Sequence, residues 1–327
     1  MDNIQPENVV EHTKPNAHVQ RIRAIGLTVS DMERSRDFYT QALGFESVSD
    51  ITVEGQDYSV LEDVELSRIR IVTLQLQDEF LTLMQYLNVE GKPIPQNSQS
   101  TDLWFQHFAI VVSDMDRAYA HLQSFPIGRI SDQPQTMPPE IPDATGVRAF
   151  KFLDPDGHDL ELIWFPQDKG QDKWHQNNHR LFLGIDHSAL AVADTEQSLQ
   201  FYRDLLGMHV EGSSLHQGEI QAHLDGLREA TVQVTSLRPA QGGFGIELLD
   251  YTRPANGRPF PSDWKSSDIA HVQLELVVND IESTLETLRQ NGVKFVSQRL
   301  VAFTQAPYTK ACLVKDPNGH AILLITV

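Results

Sequence analysis

An alternating apolar run, an aspartate and a helical pattern follow one another four times in this chain of 327 residues. The runs are IGLTVSD, FAIVVSD, SALAVAD and LELVVND, ending at Asp31, Asp114, Asp194 and Asp280, with separations of 83, 80 and 86 residues. So regular a period restricts the chain to a tandem array of one supersecondary unit. Each aspartate stands where a helix N-cap belongs, its carboxylate accepting from the orphan N–H groups of the first turn. In the third repeat Gln197 follows Asp194 by three residues, as in a capping box. Beyond it Leu199, Tyr202, Leu205 and Leu206 keep helical spacing.

Strand-like runs follow each helix: RIRIVTLQL and FLTLMQYL, VRAFKFL and DLELIWF, TVQVTSL and GIELLDY, KACLVK and AILLITV. Each repeat therefore reads as strand, helix, then about three strands. Repeats two and four close on a shared turn, Asp154-Pro155-Asp156-Gly157 and Asp316-Pro317-Asn318-Gly319. Asp first, Pro second and Gly fourth favours a type I turn between antiparallel strands. Repeats one and three instead share SxxFYxxxLG, from Ser35 to Gly44 and from Ser198 to Gly207. The order is A-B-A-B, a duplicated pair, with polar loops between repeats.

Composition closes off several classes. No run approaches the roughly 18 apolar residues of a membrane span. A formal charge of -19 argues against nucleic acid, which needs clustered Lys and Arg. One cysteine, Cys312, excludes an intrachain disulfide and a cysteine-rich zinc site, so a cytoplasmic location is expected. Residues 1–19 are polar and read as a disordered tail without a secretory signal.

Two imidazoles and two carboxylates stand in runs otherwise dominated by apolar side chains: His107, Glu161, His187 and Glu247. A lone histidine in an apolar strand is ordinarily a core residue, but a buried carboxylate needs a partner or a metal. The expectation is that the four converge on one divalent cation.

Strand-Asp-helix with SxxFYxxxLG, closing on a DPxGHxLEL-type hairpin, resembles the vicinal oxygen chelate superfamily over roughly residues 20–327. That superfamily includes glyoxalase I, extradiol dioxygenases, methylmalonyl-CoA epimerase and the bleomycin resistance proteins. The resemblance implies an α+β fold of four βαβββ modules in two tandem glyoxalase-like domains, 20–170 and 180–327. It also implies that the modules pair into curled mixed-sheet barrels. It places metal ligands on the first and last strands of a module. The first-strand positions, seven residues before the capping aspartates, hold Ala24, His107, His187 and Gln273. The last-strand positions hold Thr82, Glu161, Glu247 and Leu323. The ligands converge only if module two pairs with module three, as in duplicated glyoxalase I proteins, leaving modules one and four with a degenerate cavity.

The implied function is a glyoxalase-type, metal-dependent lyase or isomerase. A divalent ion (Zn, Ni, Mn, Co or Fe) would stabilise an enediolate or enolate, with Glu161 or Glu247 as base. One alternative is a non-haem iron dioxygenase acting on a small aromatic or oxygenated substrate. The extradiol ligand set, however, would fall on His187, Gln273 and Leu323, which lacks two of its three ligands. A second alternative is a small-molecule binding or resistance protein. The expected partner is a small-molecule substrate, and the expected state a monomer or homodimer. His158 and His320 read as hairpin residues, and Glu275 as a cavity wall or solvated charge. His271, on the face of Gln273, is a weak candidate ligand. His12, His18, His175 and His179 read as solvated. Tyr58, Arg148, Arg203, Arg228 and Tyr308 are candidates for substrate contact that nothing in the sequence places there.

Overall fold

The computed structural model describes residues 19–176, 179–304 and 307–327. The tail expected over 1–19, with His12 and His18, lies outside these except for Val19, which opens the first strand. All four aspartates cap helices as the repeat implies. Asp31 accepts from the backbone N–H of Arg34, Asp114 from Arg117, Asp194 from Gln197 and Asp280 from Ser283. Three of these helices are regular: Met32–Leu43, Met115–Leu122 and Ile281–Gln290. The third repeat departs from the continuous helix expected of it. One α-turn, Thr195–Leu199, passes into a π-helical stretch, Gln200–Leu205.

The modules pair across the sequence. In one nine-stranded sheet the opening strands of modules one and four, Val19–Thr28 and Val272–Val278, lie antiparallel. In the other, the opening strands of modules two and three, Phe105–Val112 and Phe182–Val192, do the same. Each opening strand has its own module's last strand as its parallel neighbour on the other side. These are Glu79–Tyr86, Asp159–Trp164, Gly245–Arg253 and Ala321–Thr326. The sheets are mixed, as expected, but they do not close into barrels. Each runs from a nine-residue edge strand, Glu46–Glu54 or His209–Gln217, to a two-residue edge, Lys294–Phe295 or Gly128–Arg129. Two residues offer too short a ladder to complete a ring.

The two repeated motifs hold module one to module two and module three to module four. Tyr39 of the first SxxFYxxxLG donates its hydroxyl to Asp154 Oδ2 at 2.8 Å, and Tyr202 of the second donates to Asp316 Oδ2 at 3.1 Å. Ser35 Oγ donates to Asp156, and Asn318 donates to Ser198 Oγ. The other oxygen of each first aspartate takes the backbone N–H groups of its own turn. The fourth residue needs a positive φ, +94° at Gly157 and +103° at Gly319, which glycine reaches without strain. His158 completes the lock as a structural residue, contacting Asp154 Oδ2 through Nδ1 and the Ile269 carbonyl through Nε2. His320 reaches the Ala191 carbonyl in the same way. One apolar cluster runs from helix to sheet across both sheets. Tyr39, Tyr202, Phe108, Phe150 and Leu276 are among its fully buried members.

Candidate metal centre

The second sheet brings His107 and His187 together. In the antiparallel ladder His107 lies opposite Ala189, and His187 opposite Ala109. Parallel pairing then sets Glu161 beside Ala109 and Glu247 beside Ala189. Each alanine thus has one imidazole and one carboxylate as cross-strand neighbours, and its methyl group leaves the space between them open. His107 Nε2 stands 3.2 Å from His187 Nε2 and 2.8 Å from Glu161 Oε2. His187 Nε2 stands 3.4 Å from Glu247 Oε2. His107, Glu161 and His187 form a tight buried cluster able to hold an ion, and Glu247 approaches it from the His187 side. Glu161 is 6 % exposed at its side chain and Glu247 is 23 % exposed.

The remaining ring nitrogens are anchored. His107 Nδ1 faces Gln106 Oε1, and His187 Nδ1 faces Asp186 Oδ2 at 3.1 Å. Asp186 is held in turn by Trp174 Nε1 and Arg238. Gln106 donates to Tyr251 and receives Lys151 Nζ, whose main partner is Asp225 at 2.6 Å. Nδ1–H donated outward by both rings would leave each Nε2 lone pair to a cation at the centre, the arrangement that orients histidine ligands. Ligand atoms about 2.1 Å from one cation and at right angles to each other stand about 3.0 Å apart. The separations here bracket that value, and the donor set of two imidazoles and two carboxylates suits a divalent ion.

The electrostatics ask for positive charge at the same point. Burial, aided by Lys151, pushes His107 down to about 4, so it is neutral, the form that ligates. Burial opposes charge on His187 too, but Glu247 and Asp186 outweigh it and raise this group to about 9. Burial works against the Glu161 carboxylate, yet His107 and Lys151 hold it below its ordinary value. The cluster opens onto a cavity of about 200 Å³ whose lining mixes polar side chains, among them Lys151, His216, Gln221 and Tyr251, with apolar ones such as Val147, Phe165 and Val234.

In the first sheet the corresponding positions hold Gln273 and Ala24, Leu323 and Thr82, with Glu275 and Gly26 where the alanines stand. Glu275 is buried there and ion-paired to Arg23, instead of facing solvent. His271 bonds Gln273 Oε1 at 3.0 Å. Tyr58 and Tyr308 pack on Phe303 in that half, away from the cluster. Arg148 and Arg203 pair with exposed carboxylates, and Arg228 lines another surface cavity. None of these five residues lines the cavity at the cluster. His175 differs from the solvated reading, being half-buried and bonded to the Lys169 carbonyl, whereas His179 is exposed. Sequence reasoning passed over Gln106, Asp186, Lys151 and Arg238. The available signal was a polar residue immediately before each histidine in an otherwise apolar run.

Four βαβββ modules paired through their opening strands, two of them carrying a histidine on the first strand and a glutamate on the last, define the class of protein to which this fold belongs. The chain belongs to the Glyoxalase/Bleomycin resistance protein/Dioxygenase superfamily, whose family model matches residues 18–162 and 184–324. No curated protein was found to match. Among solved structures, a glyoxalase I mutant from Zea mays aligns with TM-score 0.62 at 17 % identity, covering 94 % of this chain and 93 % of the other. Zea mays glyoxalase I itself aligns with TM-score 0.58 at 16 % identity, covering 94 % and 92 %. A Bacillus subtilis protein provisionally described as a dioxygenase aligns with TM-score 0.58 at 14 % identity, covering 95 % and 86 %. At these identities the likeness is one of fold.

Proposed function

We propose that the protein is a metal-dependent lyase or isomerase of the glyoxalase type, with His107, Glu161, His187 and Glu247 holding one divalent ion. The convergence of these four side chains from modules two and three, with both imidazoles anchored from behind, carries the reading. A divalent ion in this cage would act as a Lewis acid on a carbonyl or enolate oxygen. Glu161, deeply buried against His107, serves as ligand. Glu247 is the more exposed carboxylate, and its Oε1 accepts from Ser236 at 3.1 Å. It lines the cavity and is the group placed to take a proton from a carbon beside a carbonyl. Lys151 in the same cavity is neutralised by Asp225. The site's own cations, Lys151 and Arg238, are both committed to carboxylates, so a small substrate of low charge suits it best.

The test is metal analysis of the purified and reconstituted protein, with hemithioacetals, acyl-CoA thioesters and catechols assayed with and without oxygen. Stoichiometric divalent metal and oxygen-independent turnover of an enolisable substrate are expected. Turnover that strictly requires iron and oxygen would replace this reading with a dioxygenase. Failure to retain any divalent metal would replace it with a metal-free binding protein.

A further inference from the structure

A second cavity, of about 260 Å³, lies in the other sheet's half of the molecule, between the loop around Phe260–Ser267 and the short edge strand of module four. Three lysines line it, Lys265, Lys294 and Lys315. The chain has nine lysines. Lys92, Lys151, Lys173 and Lys310 each pair with a carboxylate, and Lys169 bonds a backbone carbonyl. The three in this cavity form no ion pair among the described residues, in a protein of net charge -19. Lys294 and Lys315 also lie directly opposite each other in the antiparallel ladder, where like charges repel. The equivalent pair in module two is Gly128 and Leu153, so the fold does not require charge at this position.

The walls are aromatic. Lys315 Nζ lies 4.5 Å from the centre of the Phe260 ring, and Phe260 meets Trp264 edge-on at 5.1 Å. Phe260 seats against Gly319, where a Cβ would come within 2.9 Å of it. Glu62 adds a fourth wall. It is 4 % exposed, and its Oε2 is buried without a hydrogen-bond partner. In the other half the acidic position is Asp225, which Lys151 neutralises. Here Leu313 occupies the lysine position, the backbone N–H of each residue accepted by a serine in the same way. Burial pushes the Glu62 carboxyl up to about 7, so over the acidic side of neutrality it is a donor. Two further carboxylates line the cavity and are engaged elsewhere: Asp263 with Lys92, and Asp63 with Gln298.

We infer that this cavity binds a small aromatic carboxylate, its anionic group between Lys294 and Lys315 and its ring against Phe260 and Trp264. The volume lies below that of a drug-sized pocket and fits about one ring and its substituent, while Phe260, Lys294 and Lys315 also border an adjoining surface cavity of about 750 Å³. The site is separate from the candidate metal centre, and none of its lining residues lies on the strands that carry His107 or His187.

The experiment is a titration of the full-length protein with benzoate, followed by saturation-transfer NMR and calorimetry, with inorganic phosphate as a parallel probe. Saturable benzoate binding is expected, unchanged by loading or stripping the divalent metal. Lys315→Gln, which keeps most of the aliphatic stem, and Lys294→Ala should each weaken it by about tenfold. Phe260→Leu should weaken benzoate and leave phosphate alone. No saturable binding at about 10 mM benzoate overturns the inference. So does unaltered binding in both lysine variants, or competition between benzoate and the metal, which would put the ligand at the other centre. Equal binding of phosphate and benzoate, indifferent to Phe260→Leu, overturns the aromatic assignment. Loss of metal binding at the first centre would leave these results untouched.

Discussion

At the level of single side chains, the candidate metal centre separates two carboxylates by burial. Glu161 is closed off against His107, so Glu161→Gln should abolish tight metal binding and activity together. Glu247 lies outside the tight cluster of three, so Glu247→Gln should retain metal with weakened affinity. It should lose about 10²- to 10⁴-fold in turnover, the usual scale for a general base. Metal content and kcat measured on both variants check this, and equal metal loss in the two would remove the distinction. Asp186 tests the anchoring separately. Asp186→Ala frees His187 Nδ1 and should cost about 10- to 100-fold in metal affinity, read by competition with a chelator. The four candidate ligands were legible because imidazole and carboxylate are conspicuous in apolar runs at equivalent module positions. Asp186 and Gln106 were not, because strict alternation sends the residue before a strand histidine to the opposite face. The ladder slips between Ile185 and His187, and between the partners of Ala189 and Leu190, so both polar residues fall at irregularities. Such bulges re-aim side chains near functional sites, so a polar residue before each histidine was the one local sign, and alternation alone misdirects it.

At the level of elements, the two recurrent motifs proved to be opposite sides of one contact. Tyr39→Phe or Tyr202→Phe leaves a buried aspartate oxygen short of a donor and should cost about 1–3 kcal/mol each, measured by chemical denaturation. Equal stability of the variants and the parent would show that the turns do not rely on the contact. His158 makes the same lock sensitive to pH. Burial opposes its charge, but Asp154 outweighs burial and raises it to about 9, above the ordinary value of about 6.5. Its contribution is complete below about pH 6.5 and is lost as the pH rises through about 9, to a limit of about 3 kcal/mol. Stability measured across that range should therefore fall for the parent and stay flatter for His158→Gln. The buried strands were plain in the sequence, and twelve of them match the runs read there, the four opening runs and the eight that follow the helices. The edge strands Glu46–Glu54 and His209–Gln217 were not, because nearly every residue of both faces solvent and no period of two survives. The short helices Gln56–Glu62 and Glu219–Leu224 were hidden by their length of less than two turns.

At the level of the whole molecule, the sheets cross the two halves of the chain while the motif contacts stay within them. A fragment of residues 19–170 would keep Tyr39 on Asp154 but would lose the antiparallel partner of both opening strands, Val19–Thr28 and Phe105–Val112. Those unpaired, apolar edges cannot remain in water as a monomer. The A-B-A-B order offers a substitute, because module two occupies in one half the place module four holds in the other. Two fragments can pair module one of each with module two of its partner and rebuild both sheets with twofold symmetry. Analytical ultracentrifugation should then show a folded dimer, and a folded monomer would contradict the pairing. The same exchange alters the centre. Each cavity would combine His107 and Glu161 with Ala24 and Thr82, giving one imidazole and one carboxylate where the intact chain gathers two of each. The fragment dimer should therefore fold without retaining a divalent ion. Duplication here supplies more than a second copy of the fold: it lets the two ligand-bearing modules meet, while the two without ligands pair with each other.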